Sequence, residues 1–436
     1  MIEQAPQLSQ NTQSEALKLL ENPEYDGLFT KMQDEYVYWD KAKYYSPVGV
    51  DPVVFWQAIK LKRNFNLVYL RFGKLKFHFT ITGKMQQLLH EFDMNFGGTL
   101  RANNIIPEKD HSVYLVSSIM EEAIASSQME GASTTRKIAK DMLRKQARPI
   151  NKSQQMIVNN YTTIQYLVNH KSDILSIPYL LNIHKLISNN TLDRSSDEGA
   201  FRKDDNIYVM NDITGEIVHT PPSASDLEDL LSALCDFVND NRSEPFVHPI
   251  IKGIIVHFML AYFHPFVDGN GRTSRSLVYW YLLKNGYWLT EYLSISRVIY
   301  RSKSQYEKSF LYVEADDLDL SYFINYNLNA MKIAYEDLQK YLVRKQREQE
   351  AIYAFRGGVL NDRQLQIVRL YKENPQILLT AKELSTRFLV TMKTARADLQ
   401  HLVQLKLVQE SPVNKRMMGY VRTKDFDVVL NNLPHS

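Results

Sequence analysis

Cysteine is almost absent from this sequence, which contains only Cys235. One thiol cannot form an internal disulfide, and no group of Cys and His residues has the spacing of a zinc site. The first fifteen residues lack the basic segment and the following apolar segment of a secretion signal. We therefore expect a cytoplasmic protein that works in a reducing compartment.

Net charge and long apolar runs are also scarce. Lys and Arg number 52 against 49 Asp and Glu, which gives a net charge of +3. A surface built as a whole to bind nucleic acid or anionic lipid would need a larger excess. The most apolar stretch, 253–263, is too short to cross a bilayer and contains His257. We expect no membrane partner, and any basic surface must be local.

The remaining composition is that of a globular protein, with 44% hydrophobic and 23% charged residues in 436. A disordered or collagen-like chain is excluded. At roughly 150 residues per domain, the length predicts about three domains. We expect a helical N-terminal extension at 1–110 with residues 1–20 loosely held or disordered, a central domain at 111–350, a linker at 354–358, and a C-terminal domain at 359–436.

Apolar spacing predicts helices along most of the chain. They are expected within 28–96, including 51–68, and then at 112–130, through Ile138 and Leu143, and at 155–168, 179–188, 225–239, 249–263, 272–283 and 322–348. The exception lies between Gly199 and Pro222, where apolar runs at 207–210 and 217–218 flank a turn. This pattern predicts a short β-hairpin.

The C-terminal segment has a different pattern. Its predicted elements are helices at 362–372, 381–388 and 392–405 and strands at 407–410 and 420–422. Three helices with a two-stranded wing are typical of a winged helix, a helix-turn-helix variant. Residues 361–436 carry 12 Lys and Arg against 7 Asp and Glu. Both DNA and a protein partner are left open, and the candidate phosphate contacts are Lys393, Arg396, Lys415 and Arg416.

The chemically most informative segment is 264–275, His-Pro-Phe-Val-Asp-Gly-Asn-Gly-Arg-Thr-Ser-Arg, which reads as a glycine turn between two helices. Gly269 and Gly271 allow backbone N–H groups to approach a ligand without a Cβ in the way. The N-terminus of the second helix favours an anion. Arg272 and Arg275 add two guanidinium groups, which suit a polyphosphate.

Two further side chains belong to this segment. Asp268 offers a hard oxygen ligand of the kind that Mg²⁺ takes together with phosphate oxygens and water. A neutral His264 could accept a proton from an attacking hydroxyl. Singly, a buried histidine or an Asp-Gly-Asn-Gly turn has a plain structural explanation. The complete ordered string is what favours a site.

The string resembles the signature of the Fic (filamentation induced by cAMP) domain family, H-x-F-x-[D/E]-G-N-G-R-x-x-R, and matches it at every constrained position. The resemblance extends over about 112–287. It implies a mainly α Fic-type helical bundle with a β-hairpin flap, here with a helical N-terminal extension and a C-terminal winged helix. It also implies a nucleotidyltransferase that moves AMP from ATP to a Ser, Thr or Tyr hydroxyl of a target protein, with pyrophosphate leaving.

The resemblance implies a role for each residue of the string. His264 would be the general base, Asp268 the Mg²⁺ ligand, and Phe266 a core anchor of the turn. The residues that would hold the phosphates of ATP are Gly269, Asn270, Gly271, Arg272 and Arg275.

A second motif precedes the glycine turn. Residues 126–131, Ser-Ser-Gln-Met-Glu-Gly, resemble the inhibitory motif [S/T]-x-x-x-E-[G/N] of Fic proteins with an N-terminal inhibitory helix. Ser126 and Glu130 are four residues apart and so share a helix face. In the family the glutamate pairs with the second arginine of the signature, here Arg275, and blocks the productive position of the γ-phosphate.

The predicted hairpin resembles the Fic flap, which docks the target segment by strand addition. Its docking residues here would be Ile207, Tyr208 and Val209. The flap departs from the family pattern at 209–211, where many relatives have a glycine after the hydrophobic pair. Self-modification and a homodimer are left open.

The function that the sequence favours is an autoinhibited protein adenylyltransferase. One alternative keeps the fold but uses another donor or removes AMP from a modified protein. The other is a DNA-binding regulator that senses nucleotide without turnover. An intact His264 argues against this regulator, because binding alone needs no base at that position.

Overall fold

The structure, a computed structural model, describes residues 2–97, 111–211, 214–240, 245–353, 359–414 and 417–433. It is mainly helical. The α-helices, numbered along the chain, are α1 Gln10–Glu21, α2 Asp26–Asp34, α3 Trp39–Ala42, α4 Pro52–Arg63, α5 Gly83–Phe96, α6 His111–Met129, α7 Arg136–Lys145, α8 Lys152–Asn169, α9 Ile177–Ser188, α10 Leu227–Asn239, α11 Pro249–Phe263, α12 Asn270–Lys284, α13 Ile295–Arg301, α14 Lys303–Ala315, α15 Ser321–Tyr353, α16 Asp362–Glu373, α17 Ala381–Phe388, α18 Met392–Gln404 and α19 Phe426–Asn431.

The strands of the described residues form three small antiparallel sheets. Their bounds are β1 Val68–Phe72, β2 Leu75–Phe79, β3 Val209–Met210, β4 Ile217–His219, β5 Leu379–Thr380, β6 Val408–Asn414 and β7 Met417–Arg422. The first two sheets are the hairpins β1–β2 and β3–β4, and the third has the order β5-β7-β6. The helical class predicted from the sequence is confirmed, together with the hairpin before Pro222.

Residues 1–20 were expected to be disordered or loosely held, but helix α1 forms at Gln10–Glu21. Ala16 is fully buried, and Thr12 is hydrogen-bonded to Gln57 of α4. The Trp39 indole N–H also donates to Glu3 at 3.0 Å. A few apolar contacts and these polar ones order a segment whose polar composition alone predicted disorder.

The expected helical pattern is also wrong at 68–79, where β1 and β2 form a hairpin. Helix α4 ends at Arg63 instead of continuing to Val68. The signal was present, because apolar residues alternate along both strands and Gly73, with φ of +52°, provides the turn. The helical prediction missed this alternation of apolar residues with a period of two, which is typical of a strand.

The largest hydrophobic core joins the N-terminal extension to the central helices, since its buried residues run from Ala16 to Leu338. Buried charges link the same two regions. Lys60 of α4 donates to Asp316 at 2.8 Å, and both side chains are less than 10% exposed. Tyr322 of α15 donates to the same carboxylate at 2.7 Å. The N-terminal extension therefore belongs to the same core as α11 and α15, whereas the proposed boundary at 110 lies outside the described residues.

Helices α11 and α12 pack against each other at the centre of this core, and the glycine turn connects them. Helix α11 is apolar on every side, which predicts burial by neighbours all round. Ten of its residues have an exposed fraction of 2% or less, so the turn starts from a fixed support. Helices α8 and α9 pack against α12, and α6 packs against α8.

Helices α16, α17 and α18 with the β5-β7-β6 sheet form a separate hydrophobic cluster. The elements predicted at 362–422 are present, but the winged-helix assignment and its DNA or protein partner stay predictions. Lys393 and Arg396 are exposed, whereas Lys415, Arg416 and the linker 354–358 lie outside the described residues. Helix α17 of this cluster lies against α6 and α7.

A helix that crosses a bilayer needs about 20 consecutive, predominantly apolar residues. Within the ranges that the structure describes, no helix is both long and apolar enough to do so.

Candidate active site

The glycine turn is held in an unusual backbone path. Helix α11 ends at Phe263, and His264 caps it in the left-handed region with φ of 47° and ψ of 55°. Gly269, with φ of +88°, precedes the first residue of α12. A non-glycine residue with positive φ costs free energy, and such residues concentrate at functional sites. The turn therefore leads from His264, at the end of α11, to the N-terminus of α12 within six residues.

The protonation state of His264 follows from its neighbours. Its Nδ1 lies 3.3 Å from the carbonyl oxygen of Ala261. Because a carbonyl only accepts, Nδ1 must carry the proton, which leaves Nε2 with its lone pair. Burial lowers the pKa of His264 to about 4, against the smaller opposing effect of the Ala261 hydrogen bond. The imidazole is therefore neutral near pH 7, as a general base requires.

Asn270 holds the shape of the turn from inside. Its side-chain oxygen accepts from the Phe266 N–H at 2.9 Å, and its side-chain NH₂ donates to the Phe266 carbonyl at 2.8 Å. Phe266 is fully buried, in agreement with its expected place in the core. The Asn270 side chain therefore holds the turn, and its backbone N–H, at the first residue of α12, is a separate donor for a phosphate. The sequence did not indicate this division of roles.

Asp268 and Arg272 lie four residues apart, and their side chains contact each other. The Asp268 side chain is 43% exposed, and its Oδ1 lies 3.4 Å from an Arg272 nitrogen. Arg272 is fully buried and also donates to the Ile187 carbonyl at 3.3 Å, while its Nε has no hydrogen-bond partner among the described residues. The Arg272 guanidinium is thus buried, with two long contacts and one unpaired N–H. Such a group favours the binding of an anion, which would supply a closer acceptor.

Magnesium was predicted at Asp268. No group of three or more His, Cys, Asp or Glu side chains in the described ranges could hold a metal ion. One accessible carboxylate still fits Mg²⁺, which commonly takes one or two protein carboxylates and completes its shell with phosphate oxygens and water.

Arg275 lies on α12 one turn beyond Gly271 and contacts both residues of the second motif. Its Nε donates to Ser126 Oγ at 2.9 Å, and one terminal nitrogen donates to the Ser126 carbonyl at 2.9 Å. The same nitrogen donates to Glu130 Oε1 at 2.8 Å. Helix α6 ends at Met129, so Glu130 extends from its C-terminal end toward α12. The structure thus brings together the two motifs that are separated by more than a hundred residues.

The carboxylate of Glu130 also covers Gly271. A Cβ placed on Gly271 would overlap Glu130 Oε1 and would lie 3.0 Å from an Arg275 nitrogen. The glycine therefore lets an anionic oxygen come close to the backbone of the first turn of α12. In this structure the anionic oxygen belongs to the protein itself.

The flap is shorter than the predicted hairpin. Val209 is in β3, whereas Ile207 and Tyr208 lie before the strand in irregular backbone. The side chain of Tyr208 is 44% exposed. Within the part of the chain that is described, β3 pairs only with β4, which leaves its other edge open.

Arg202 connects the flap to the turn and was not identified as a site residue from the sequence. It is nearly fully buried, and its Nε donates to the His264 carbonyl at 3.0 Å. Its backbone N–H donates to the Pro265 carbonyl at 2.8 Å. A basic residue just after Gly199 gave no indication of this contact, which depends on folding across 62 residues.

His184 of α9 was also missed. It is fully buried, and its ring is parallel to that of Phe266 at a centroid distance of 3.7 Å. Burial lowers the pKa of His184 to about 4 despite the hydrogen bond to Asp268. A lone polar residue on the apolar face of a helix was the available signal, since buried polar groups require partners.

Comparison with known proteins bears on the same region. A model described as the Fic/DOC family matches residues 174–282. The chain resembles a protein adenylyltransferase Fic of Culex quinquefasciatus, with 35% identity over 121 residues that cover 28% of this chain and 22% of that protein. A protein of the same name in Nematostella vectensis shows 31% identity over 128 residues, which cover 29% and 26% of the two chains. The chain thus spans about a quarter of the length of these relatives.

A solved structure of a Fic family protein from Desulfovibrio desulfuricans G20 aligns with a TM-score of 0.49 and 19% identity. The alignment covers 79% of this chain and 98% of that one. The segment matched by the family model contains the glycine turn, the flap and His184, whereas Glu130 precedes it.

Proposed function

The chain belongs to the Fic/DOC family through residues 174–282, and on this premise we propose that it is an autoinhibited protein adenylyltransferase. It would transfer AMP from ATP to a hydroxyl of a target protein, and pyrophosphate would leave. The names of its curated relatives support this activity. The observation that carries the proposal is His264, whose Nδ1 faces the Ala261 carbonyl so that Nε2 keeps its lone pair, six residues before the N-terminus of α12.

His264 is suited to remove the proton of the attacking hydroxyl. The Ala261 carbonyl fixes the tautomer, so that Nε2 is the nitrogen available to the substrate. Arg202 donates to the His264 carbonyl and keeps the backbone of this residue in place. Positioning of this kind accounts for much of the rate in phosphoryl-transfer chemistry, because the protein supplies little covalent chemistry of its own.

The triphosphate of ATP would bind at the first turn of α12. The first N–H groups of a helix have no partner within the helix and, with the helix dipole, attract an anion. Gly271 permits close approach, and the guanidiniums of Arg272 and Arg275 neutralise charge. Asp268 would hold Mg²⁺, which when bound would neutralise phosphate charge and orient the leaving group.

Glu130 would inhibit the enzyme by taking the place of a phosphate oxygen. Its carboxylate occupies the approach to Gly271 and accepts from Arg275. A carboxylate that pairs with a buried guanidinium competes with phosphate for the same donor. Productive binding of ATP therefore requires Glu130 to move away from Arg275.

The flap would dock the target segment through Ile207, Tyr208 and Val209. Support comes from the open edge of β3, where main-chain groups are available for strand addition. Arg202 ties the start of the flap to the catalytic turn, so a docked segment would be held at a fixed distance from His264. The modified hydroxyl would then be selected by position as well as by chemistry.

The test uses full-length Glu130→Gly protein with ATP and Mg²⁺, alone and with a mixture of cellular proteins. Mass spectrometry is expected to find the mass of one AMP on hydroxyl side chains, including those of the enzyme. The adduct should disappear in Glu130→Gly/His264→Ala and persist in Glu130→Gly/His170→Ala, since His170 lies outside the turn. An adduct of another mass, or none on any protein, would overturn the proposal.

A further inference from the structure

The fully buried His184 is linked to the glycine turn by its ring. The ring lies parallel to that of Phe266, with 1° between their planes and 3.7 Å between their centroids. A Cβ on Gly269 would come within 3.3 Å of His184 Nε2, so the backbone of the turn lies directly against this nitrogen. His184 thus packs against both the Phe266 ring and the backbone of the turn at Gly269.

Two hydrogen bonds determine the tautomer of His184. The Gly199 N–H donates to Nδ1 at 3.0 Å, so Nδ1 carries the lone pair. Nε2 therefore carries the proton and donates to the carbonyl of Asp268 at 2.9 Å. One imidazole thus joins the backbone of Gly199, from which the chain continues into the flap, to the backbone of Asp268.

We propose that His184 is a positioning residue for AMP transfer. It fixes the peptide between Asp268 and Gly269, and thereby sets the direction of the Asp268 carboxylate and of the N–H groups that follow. The backbone there is already constrained by the positive φ of Gly269, so a small rotation of this peptide would redirect both groups. This inference rests on the proposed function, because the groups being positioned are those that would bind the nucleotide and its metal.

The variants separate the ring from its hydrogen bonds. His184→Phe keeps a ring that can stack on Phe266 but removes both hydrogen bonds. His184→Gln loses the stacking but retains an N–H donor and an oxygen acceptor. His170→Phe is the matched control, because that histidine also stacks on a ring, Tyr166, at 4.0 Å, but its hydrogen bonds and ring contacts within the described ranges lie outside the turn.

All variants are made in full-length Glu130→Gly protein, and kcat and KM for ATP are measured separately. Misplacement of a reacting group by about 1 Å can cost about 10²-fold, so His184→Phe is expected to lower kcat by one to two orders of magnitude. His184→Gln should recover part of the loss, and His170→Phe should match the parent. Equal kcat in His184→Phe and His170→Phe would overturn the proposal.

Amide hydrogen exchange of the peptide that covers 265–272 provides a readout that needs no turnover. Exchange of this peptide should be faster in His184→Phe than in His170→Phe, and the rate in His184→Gln should lie between them. If His184→Phe does not fold, the exchange rate of His184→Gln is compared with that of His170→Phe, and the same difference tests the proposal. If the Glu130→Gly parent is inactive but His184→Phe still exchanges faster, the role of His184 in the turn is supported and AMP transfer is refuted. If a folded His184 variant exchanges at the same rate as His170→Phe, the role of His184 is refuted.

Discussion

Arg275 of α12 donates a hydrogen bond at 2.8 Å to Glu130, which follows the C-terminal end of α6. The pair is unequal, because the side chain of Arg275 is 4% exposed and that of Glu130 is 27% exposed. The buried partner also keeps two hydrogen bonds to Ser126. Without Glu130, Arg275 would keep these two neutral acceptors but lose its carboxylate, so its buried charge would favour another anion at the same position.

Replacing Glu130 by Gly should increase AMP transfer. A hydrogen bond between charged groups contributes about 1.5–3 kcal/mol, and partial exposure favours the lower value. We expect about a tenfold higher rate in a labelled-ATP assay, since 1.4 kcal/mol corresponds to tenfold. Glu130→Gln keeps the size of the side chain but loses its charge, so its rate should lie between those of wild type and Glu130→Gly.

The control for this substitution is Gln128→Gly, which places the same flexible residue in α6 two positions earlier. Its side chain donates to Thr134, away from the turn. If Gln128→Gly raised activity as much as Glu130→Gly, loosening of α6 would explain the effect. Equal labelling by wild type and Glu130→Gly would contradict the inhibitory role.

Gly271 should be needed for nucleotide even when Glu130 is absent. In Glu130→Gly protein, Gly271→Ala places a methyl group 3.0 Å from an Arg275 nitrogen and on the expected path of a phosphate. Steady-state kinetics should show a higher KM for ATP and a lower kcat, together about tenfold or more in kcat/KM.

Gly83→Ala is the matched control, because that glycine starts α5 with open space around it. It should leave the kinetics unchanged. Full activity of Glu130→Gly/Gly271→Ala would mean that phosphate does not approach the backbone at this position.

The parts of the site that the sequence predicted are those that lie close together along the chain. From His264 to Arg275 the spacing sets which groups share one turn and one helix N-terminus, so local geometry was enough. The inhibitory pair was predicted from two resembling motifs, and the contact of Glu130 with Arg275 is present. Its effect on activity stays a prediction, as do the roles of the individual site residues.

The parts that could not be predicted depend on tertiary contacts. His184 reaches Asp268 over 84 residues and Arg202 reaches His264 over 62, and neither spacing leaves a periodic pattern in the sequence. The missed hairpin β1–β2 is different, since its alternation was visible but short. Where apolar runs are short, strand and helix are not separated by periodicity alone.

The activity should remain high into mildly acidic solution. Because the pKa of His264 is lowered to about 4, the base is neutral above that pH and becomes protonated, and inactive, only below it. In Glu130→Gly protein, kcat/KM should stay flat from pH 7 to about 5. An acidic limb centred near the ordinary histidine pKa of about 6.5 would show that His264 is well solvated or is not the base. NMR of labelled histidine, with His264→Ala to assign the signal, measures the same pKa without turnover.

Stability should fall in acid because of His257, a fully buried residue of α11 that is hydrogen-bonded to Tyr306 at 2.9 Å. Burial, reinforced by the charge of Arg275, lowers the pKa of His257 to about 3. Between about pH 3 and 6.5 the unfolded chain binds a proton that the folded protein does not, so stability rises with pH across this window. The free energy of unfolding in urea should therefore decrease on acidification.

His257→Phe removes the imidazole that binds this proton in the unfolded chain. The stability of the variant should therefore fall less steeply than that of wild type between pH 6.5 and 4. The difference in slope should approach about 1.4 kcal/mol per pH unit. Other titrating groups contribute equally to both proteins and cancel in the comparison. Parallel slopes would mean that His257 is protonated in the folded state.

The buried pair Lys60–Asp316 should be essential for the attachment of the N-terminal extension. Asp316 accepts from Lys60 at 2.8 Å and from Tyr322 at 2.7 Å. Asp316→Ala leaves the ammonium of Lys60 buried without its partner, which costs about 3–5 kcal/mol. The double variant Lys60→Met/Asp316→Leu removes both charges and should regain much of that loss. Chemical denaturation of wild type, Lys60→Met, Asp316→Leu and the double variant gives the coupling, and an additive double variant would show that the two charges do not stabilise each other. The N-terminal extension and the central helices are also expected to unfold together, because one core contains residues from Ala16 to Leu338.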